Sequence, residues 1–209
     1  DKDKSKIKLP GATKERCLEN FIYVFGDQFH VIADSCSEEL VSCLKNKNLT
    51  VTETELGNSA SFRYAMNLAL QFADNTLIYF VEDDYLHLPQ AKDLLIEGLQ
   101  QSEYISLYDH PDKYGPLYDW GETCKIYKTQ STHWKQSLST CMTFATTAKI
   151  LKEDSYVWEL QTKDETPNDH KAFCCLSKSN HKLGVCIPGV ACHTDLAYSL
   201  ALESNHMES

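Results

Sequence analysis

The sequence predicts an α/β fold, with a mainly parallel central sheet and helices on both of its faces. Three observations point there. Segments of strand-like apolar character are interleaved with segments whose apolar residues recur at helical spacing, the pattern of right-handed βαβ units. The run Leu77-Ile78-Tyr79-Phe80-Val81 is apolar throughout, as expected of a strand in the middle of a parallel sheet. The chain has 209 residues, 42% of them hydrophobic, which suits one domain with one sizeable core. We read residues 1–209 as that single domain, alone or within a larger protein.

The elements follow in order. Residues up to Pro10-Gly11 form a basic, loop-like lead-in. Over residues 13–25, Cys17, Leu18, Phe21, Ile22 and Phe25 recur at helical spacing, with Thr13 as cap and Gly26 as stop. Residues 29–33 make a short strand ending at Asp34. Ser35-Cys36-Ser37-Glu38 has the form of a capping box for a helix through Leu44. Residues 49–53 are a short strand. After Gly57-Asn58, a helix over 61–73 places Phe62, Ala65, Met66, Ala69 and Ala73 on one face. The strand at 77–81 runs straight into Glu82-Asp83-Asp84. Pro89 opens another helix, and residues 104–108 form the next strand. Residues 109–138 show no period and read as a long loop region. A strand over 140–145, a short helix over 147–152, a helix over 168–176 and a strand over 183–187 complete the chain.

Charge and cysteine usage narrow the function. The net charge is −10, so a face built to hold nucleic-acid backbone, which needs clustered Lys and Arg, is not expected. Such a protein still binds a nucleotide diphosphate if a divalent cation neutralises it. No run approaches the roughly 20 apolar residues of a membrane span, and residues 1–8 are too polar for a secretory signal. Nine cysteines without a C-x-x-C pair, mostly in apolar stretches, read as reduced and buried thiols. A cytoplasmic location is the expectation.

Three consecutive acids directly after the most apolar strand carry the chemistry. Ligands of open α/β sheets sit beyond the carboxyl ends of the strands. Left unpaired, Glu82, Asp83 and Asp84 would repel one another. A hard cation, Mn²⁺ or Mg²⁺, relieves that repulsion and bridges to phosphate oxygens.

Val81-Glu82-Asp83-Asp84-Tyr85 resembles the DXD-type motif of GT-A glycosyltransferases, in its E-D-D form. The resemblance extends to the turn and helix start Gly57-Asn58-Ser59-Ala60-Ser61-Phe62-Arg63, and to Val31-Ile32-Ala33-Asp34, where the family carries an acid near the nucleotide base. Pro167-Asn168-Asp169-His170 is similar to the family's xED position, and Cys192-His193 to its C-terminal metal-ligand histidine. Two departures stand out. Asn168 takes the place of the family's Glu, and the lead-in does not read as the family's first strand.

The resemblance implies a Rossmann-like GT-A fold and transfer of a sugar from a nucleotide-diphosphate donor, a UDP-sugar, to a glycan or other hydroxyl acceptor. It implies Asp84 and His193 as ligands of Mn²⁺ or Mg²⁺, Asp83 near the ribose or a metal-bound water, and Glu82 orienting the strand end. Asp34 would accept from the N3–H of uracil or thymine, Arg63 would reach the base or pyrophosphate, and Asn58 would contact the nucleotide sugar. Asp169 would be the general base of an inverting transfer, taking the proton of the acceptor hydroxyl, with His170 beside it or on the acceptor. Asp109, His110, Tyr114, Tyr118, Trp120, His133 and Trp134 offer an acceptor wall, since aromatic faces stack on sugars. Ser139 and Thr140 would reach the donor sugar.

Each residue also has a plainer role: Asp169 favours a helix dipole, Arg63 lies along a surface, and Trp134 fills a core. Other functions fit less well. A nucleotidyltransferase needs a longer Gly-rich, basic loop than Gly11-Ala12-Thr13-Lys14. A non-catalytic sugar-binding module has no need of the three acids, and a metal-dependent phosphohydrolase needs more histidines at the strand ends. A zinc site from Cys186, Cys192, His193 and Cys174 or Cys175 matches no standard spacing.

Overall fold

The computed structural model describes residues 7–114 and 124–195. The chain runs α1 (Lys14–Phe25), β1 (His30–Asp34), α2 (Glu38–Asn46), β2 (Thr50–Thr54), α3 (Asn58–Ala69), β3 (Leu77–Phe80), β4 (Tyr85–His87), α4 (Ala91–Gly98) and β5 (Tyr104–Ser106). A 3-10 turn, Pro111–Tyr114, then leads to β6 (Ile126–Lys128), β7 (His133–Ser137), β8 (Phe144–Thr147), α5 (Ala148–Gln161), α6 (Asp169–Lys178), β9 (Leu183–Ile187) and β10 (Ala191–His193).

The starts of several helices follow directly from local chemistry. The Thr13 hydroxyl accepts from the Arg16 amide at the start of α1, and Gly26, at φ 91°, ends it. Asn168 caps α6 by accepting from the Lys171 amide. At α2 the cap shifts. Ser35 adopts a φ of 53° and gives its amide to the Thr54 carbonyl, so Ser37, not Ser35, caps the helix by accepting from Leu40. Helix α3 begins and ends earlier than the expected 61–73, because the turn is made at Gly57, whose φ of 81° suits glycine.

The sheet corrects the expected architecture. Six strands pair in the order β3-β8-β5-β9-β7-β6, and within this sheet only β5 and β9 run parallel. The sheet is therefore mixed, not mainly parallel. β1 and β2 form a separate parallel pair, and β4 and β10 a short antiparallel ribbon. The class remains α/β.

β3 lies at the sheet's edge rather than its middle. Its unbroken apolarity has another cause, namely cover on both faces. Phe80 and Ile78 pack with Met66 of α3, Leu151 and Trp158 of α5, and Phe173 and Leu176 of α6. Tyr79 and Val81 pack on the opposite side with Leu94 and Leu95 of α4 and with Phe25 of α1. The same alternation places Tyr104 and Phe144 on the first face and Ile105 and Ala145 on the second. Helices thus cover both faces, as expected. A third, smaller cluster joins Ala33, Val41, Leu44 and Leu49 around β1, β2 and α2. Phe144 and Trp158, both fully buried, stack at 4.7 Å; truncating either is expected to cost about 3–5 kcal/mol.

The second half holds the other differences. Residues 109–138 contain the β6–β7 hairpin as well as loop, and Tyr118 and Trp120 lie outside the described residues. The strand expected over 140–145 begins instead at Phe144. Thr140 turns its hydroxyl to the Thr143 carbonyl and Met142 takes a φ of 55°, which breaks an extended run. All nine cysteines are free thiols, but only Cys17, Cys186 and Cys192 are buried; Cys124 and Cys175 are exposed. No helix among the described residues is long and apolar enough to cross a membrane.

Candidate metal and donor site

The β4–β10 ribbon builds the site. β4 leaves the main sheet after the acidic turn and pairs with β10, placing His193 opposite Tyr85. The Thr194 amide donates to the Asp84 carbonyl at 2.9 Å, extending the ladder by a rung. The ribbon is fixed on one side to the end of β5, where Leu107 accepts from the amides of Val190 and Ala191. On the other side Asn20 of α1 holds the His87 backbone, accepting from its amide at 2.6 Å and donating to its carbonyl at 2.9 Å.

This pairing brings Glu82, Asp84 and His193 together, with one ligand-type atom of each within 4.8 Å of the others. It is the one such His/Cys/Asp/Glu cluster among the described residues, so the cysteine-rich zinc alternative is not assembled there. Asp84 is 7% exposed, and its Oδ1 is buried with no hydrogen-bond partner among the described residues. An unpaired buried acceptor costs about 1–3 kcal/mol and marks a place where an ion or water completes the structure. On these grounds the residues fit a hard divalent cation, two carboxylates and an imidazole being a suitable donor set.

Two features qualify how a cation is held. The Asp195 amide donates to His193 Nδ1 at 3.1 Å, so in the neutral ring the proton is on Nε2, which lies 3.4 Å from Asp84 Oδ2. Ligation through Nε2 requires that proton to move to Nδ1, at the expense of the Asp195 bond. The second feature is cationic. Lys8 Nζ stands 2.6 Å from the same Asp84 Oδ2, and Lys14 Nζ stands 2.8 Å from Asp83 Oδ2. Repulsion within the acidic turn is therefore relieved, in part, by two lysines of the N-terminal segment. Beneath them the Cys17 thiol is pushed up to about 11 by burial and by the charges of Asp84 and Asp83.

Around this centre the aromatic rings are contiguous. Tyr85 meets His193 edge-on at 5.1 Å and Tyr108 at 5.4 Å, and Tyr108 in turn meets His110 at 5.4 Å. Asp109 is engaged in a closed group. Tyr114 donates to its Oδ2 at 2.5 Å, and Lys135 Nζ stands 2.5 Å from its Oδ1, near enough for an ion pair without hydrogen-bond alignment. Lys135 also donates to the Tyr114 hydroxyl at 2.8 Å.

No family model and no curated protein matches the chain. The functional reading therefore rests on the residues and their arrangement.

The remaining candidates take distinct positions. Asp169 accepts from the Thr140 amide at 2.5 Å, and the Thr140 hydroxyl reaches Ser106 at 3.2 Å, at the end of β5 beside Tyr108. Asp169 is thus linked through bonded neighbours to the aromatic side of the cluster. His170 meets the Leu138 carbonyl at 3.2 Å and the Cys174 sulfur at 3.6 Å. Asp34 accepts from Thr54 at 2.8 Å, Leu56 at 2.6 Å and Gly57 at 3.0 Å, so it clasps the turn that positions Asn58. Burial acts to raise its pKa, but these donors together hold it below the ordinary carboxylate value of 3.8. Burial pushes the Cys36 thiol above its ordinary value, and the charges of Lys14, Asp83 and Asp34 also act on it.

Two expected contacts are taken up elsewhere. Arg63 donates to the Thr162 carbonyl, tying α3 to the end of α5. Trp134 is fully buried against Gly98, and its indole N–H donates to Thr129 at 2.9 Å, so its ring offers no face to an acceptor. Sequence reasoning missed Lys8, Lys14, Tyr108 and Asp195. The basic lead-in opposite an acidic turn was the available signal for the lysines.

Proposed function

We propose that the chain is a GT-A-type glycosyltransferase, dependent on Mn²⁺ or Mg²⁺, that moves a sugar from a uridine-diphosphate donor to a glycan or other hydroxyl acceptor. One observation supports this most: Glu82, Asp84 and His193, from distant parts of the chain, converge, and Asp84 carries a buried carboxylate oxygen with no hydrogen-bond partner among the described residues. The E-D-D resemblance adds the donor class.

In this reading Asp84 and His193 hold the cation, with Glu82 at its rim. A bound divalent ion would supply positive charge to the departing diphosphate. Asp83 faces the ribose, and the Asp34 turn with Asn58 borders the base. Asp109 and His110 flank the acceptor side next to Tyr108. Asp169 takes the proton of the attacking hydroxyl, opposite the leaving group, while its bond to Thr140 fixes the loop that carries Ser139.

The test is a screen of UDP-, GDP- and TDP-sugars for slow hydrolysis with Mn²⁺ and with excess chelator. Metal-dependent release of UDP is the expected result. Sugar binding that ignores the metal and yields no hydrolysis in any mixture would favour a non-catalytic module instead.

A further inference from the structure

We propose that Lys8 is a tethered cation that competes with the divalent ion for Asp84, so that loading the site requires residues 7–9 to release. This rests on the metal reading above and adds its regulation.

The geometry carries the argument. The Lys8 ammonium, with its side chain 23% exposed, sits 2.6 Å from Asp84 Oδ2. That oxygen is also the one nearest His193 Nε2, at 3.4 Å, so a cation shared by Asp84 and His193 must approach the place the ammonium holds. Ammonium and divalent ion repel each other there, and in a partly buried site the repulsion is weakly screened. Lys8 is not a loose surface side chain. Its backbone forms an antiparallel bridge with Asp195, and the next amide, Leu9, donates to the Thr194 carbonyl at 2.8 Å. The segment is thus seated on the continuation of β10, the strand that carries His193. Its seat is shallow: Ile7 is 70% exposed and anchors nothing in the core. A short backbone pairing of this kind opens at low cost. Lys14, the other lysine of the acidic turn, differs. It lies on α1 and pairs with the exposed Asp83, to one side of the cluster.

Competition of this kind is a coupling free energy, and it is reciprocal: Mn²⁺ weakens the seat by as much as the seat weakens Mn²⁺. Two measurements test it, both with the metal alone. In calorimetric titration with Mn²⁺, Lys8→Met is expected to bind roughly tenfold or more tightly than the wild type. Lys14→Met, which removes the same charge nearby, is expected to change affinity by less than about fivefold. Equal gains from the two variants would reduce the effect to general charge and overturn the proposal, as would an unchanged affinity in Lys8→Met. The second measurement needs no variant. Hydrogen exchange of the Leu9 amide in the wild-type chain should accelerate on adding saturating Mn²⁺, whereas unchanged or slower exchange with Mn²⁺ bound contradicts release. Absence of Mn²⁺ binding in the wild type and in Lys8→Met alike would instead overturn the metal reading itself.

Discussion

Two buried aspartates in this molecule have been given opposite surroundings. Asp154 of α5, 6% exposed, accepts from the Tyr104 hydroxyl at 2.8 Å and meets His181 Nδ1 at 2.7 Å. Trp158 closes the group by donating its indole N–H to Tyr104 at 3.1 Å. Neither Asp154 oxygen is left buried without a partner. Asp84, 7% exposed, has the reverse arrangement, with Lys8 and His193 crowded at Oδ2 and, among the described residues, no hydrogen-bond partner at Oδ1. The difference teaches that burial alone does not separate a structural carboxylate from one proposed to do chemistry. What separates them is whether the chain's own groups complete the hydrogen bonding.

The largest effect is expected on the chemical side. Asp169→Asn keeps the shape and the contact with Thr140 but removes the proposed base, so turnover should fall roughly 10²–10⁴-fold with donor and metal affinity nearly unchanged. Near-normal turnover would leave Asp169 as a clamp on the 138–140 loop only.

On the structural side, Asp154→Ala leaves the fully buried Tyr104 hydroxyl without its acceptor and should cost about 1–3 kcal/mol in urea unfolding. Asp84→Asn should move stability by less than about 1 kcal/mol, because the partly exposed Lys8 can return to water. Similar losses in the two variants would erase the distinction.

A pH-dependent effect concerns His87, buried between α1 and β3, where burial lowers its pKa from 6.5 to about 4. The unfolded chain binds a proton here between those values and the fold does not. Stability is therefore full above pH 6.5 and declines as pH falls to 4, by roughly 3 kcal/mol. Unfolding curves across that range should show the slope in the wild type and lose it in His87→Leu.

Much of the fold is legible because its causes are local. Thr13, Gly26 and Asn168 mark helix ends by their own hydrogen bonds or backbone freedom, and the run at 183–187 is the strand that forms. Strand direction is not local. The apolar residues of 77–81 report cover on two faces, and nothing in them says that β8 arrives antiparallel from more than sixty residues downstream. β4 and β10, three residues each, are too short for any periodicity to show. The site divides in the same way. Glu82, Asp84 and His193 were named from motif resemblance and do meet. Lys8 is legible only as one charge of a basic lead-in, because such a lysine looks solvated until its distant partner is known.

The most direct test of the account is a calorimetric titration of Mn²⁺ into the wild type and into Asp84→Asn, both checked for intact fold. The account predicts saturable binding in the wild type, and a loss in the variant larger than the roughly 10–100-fold that removing a residue behind a metal ligand costs. Equal affinity in the two proteins, or no binding to either the wild type or Lys8→Met, would contradict it.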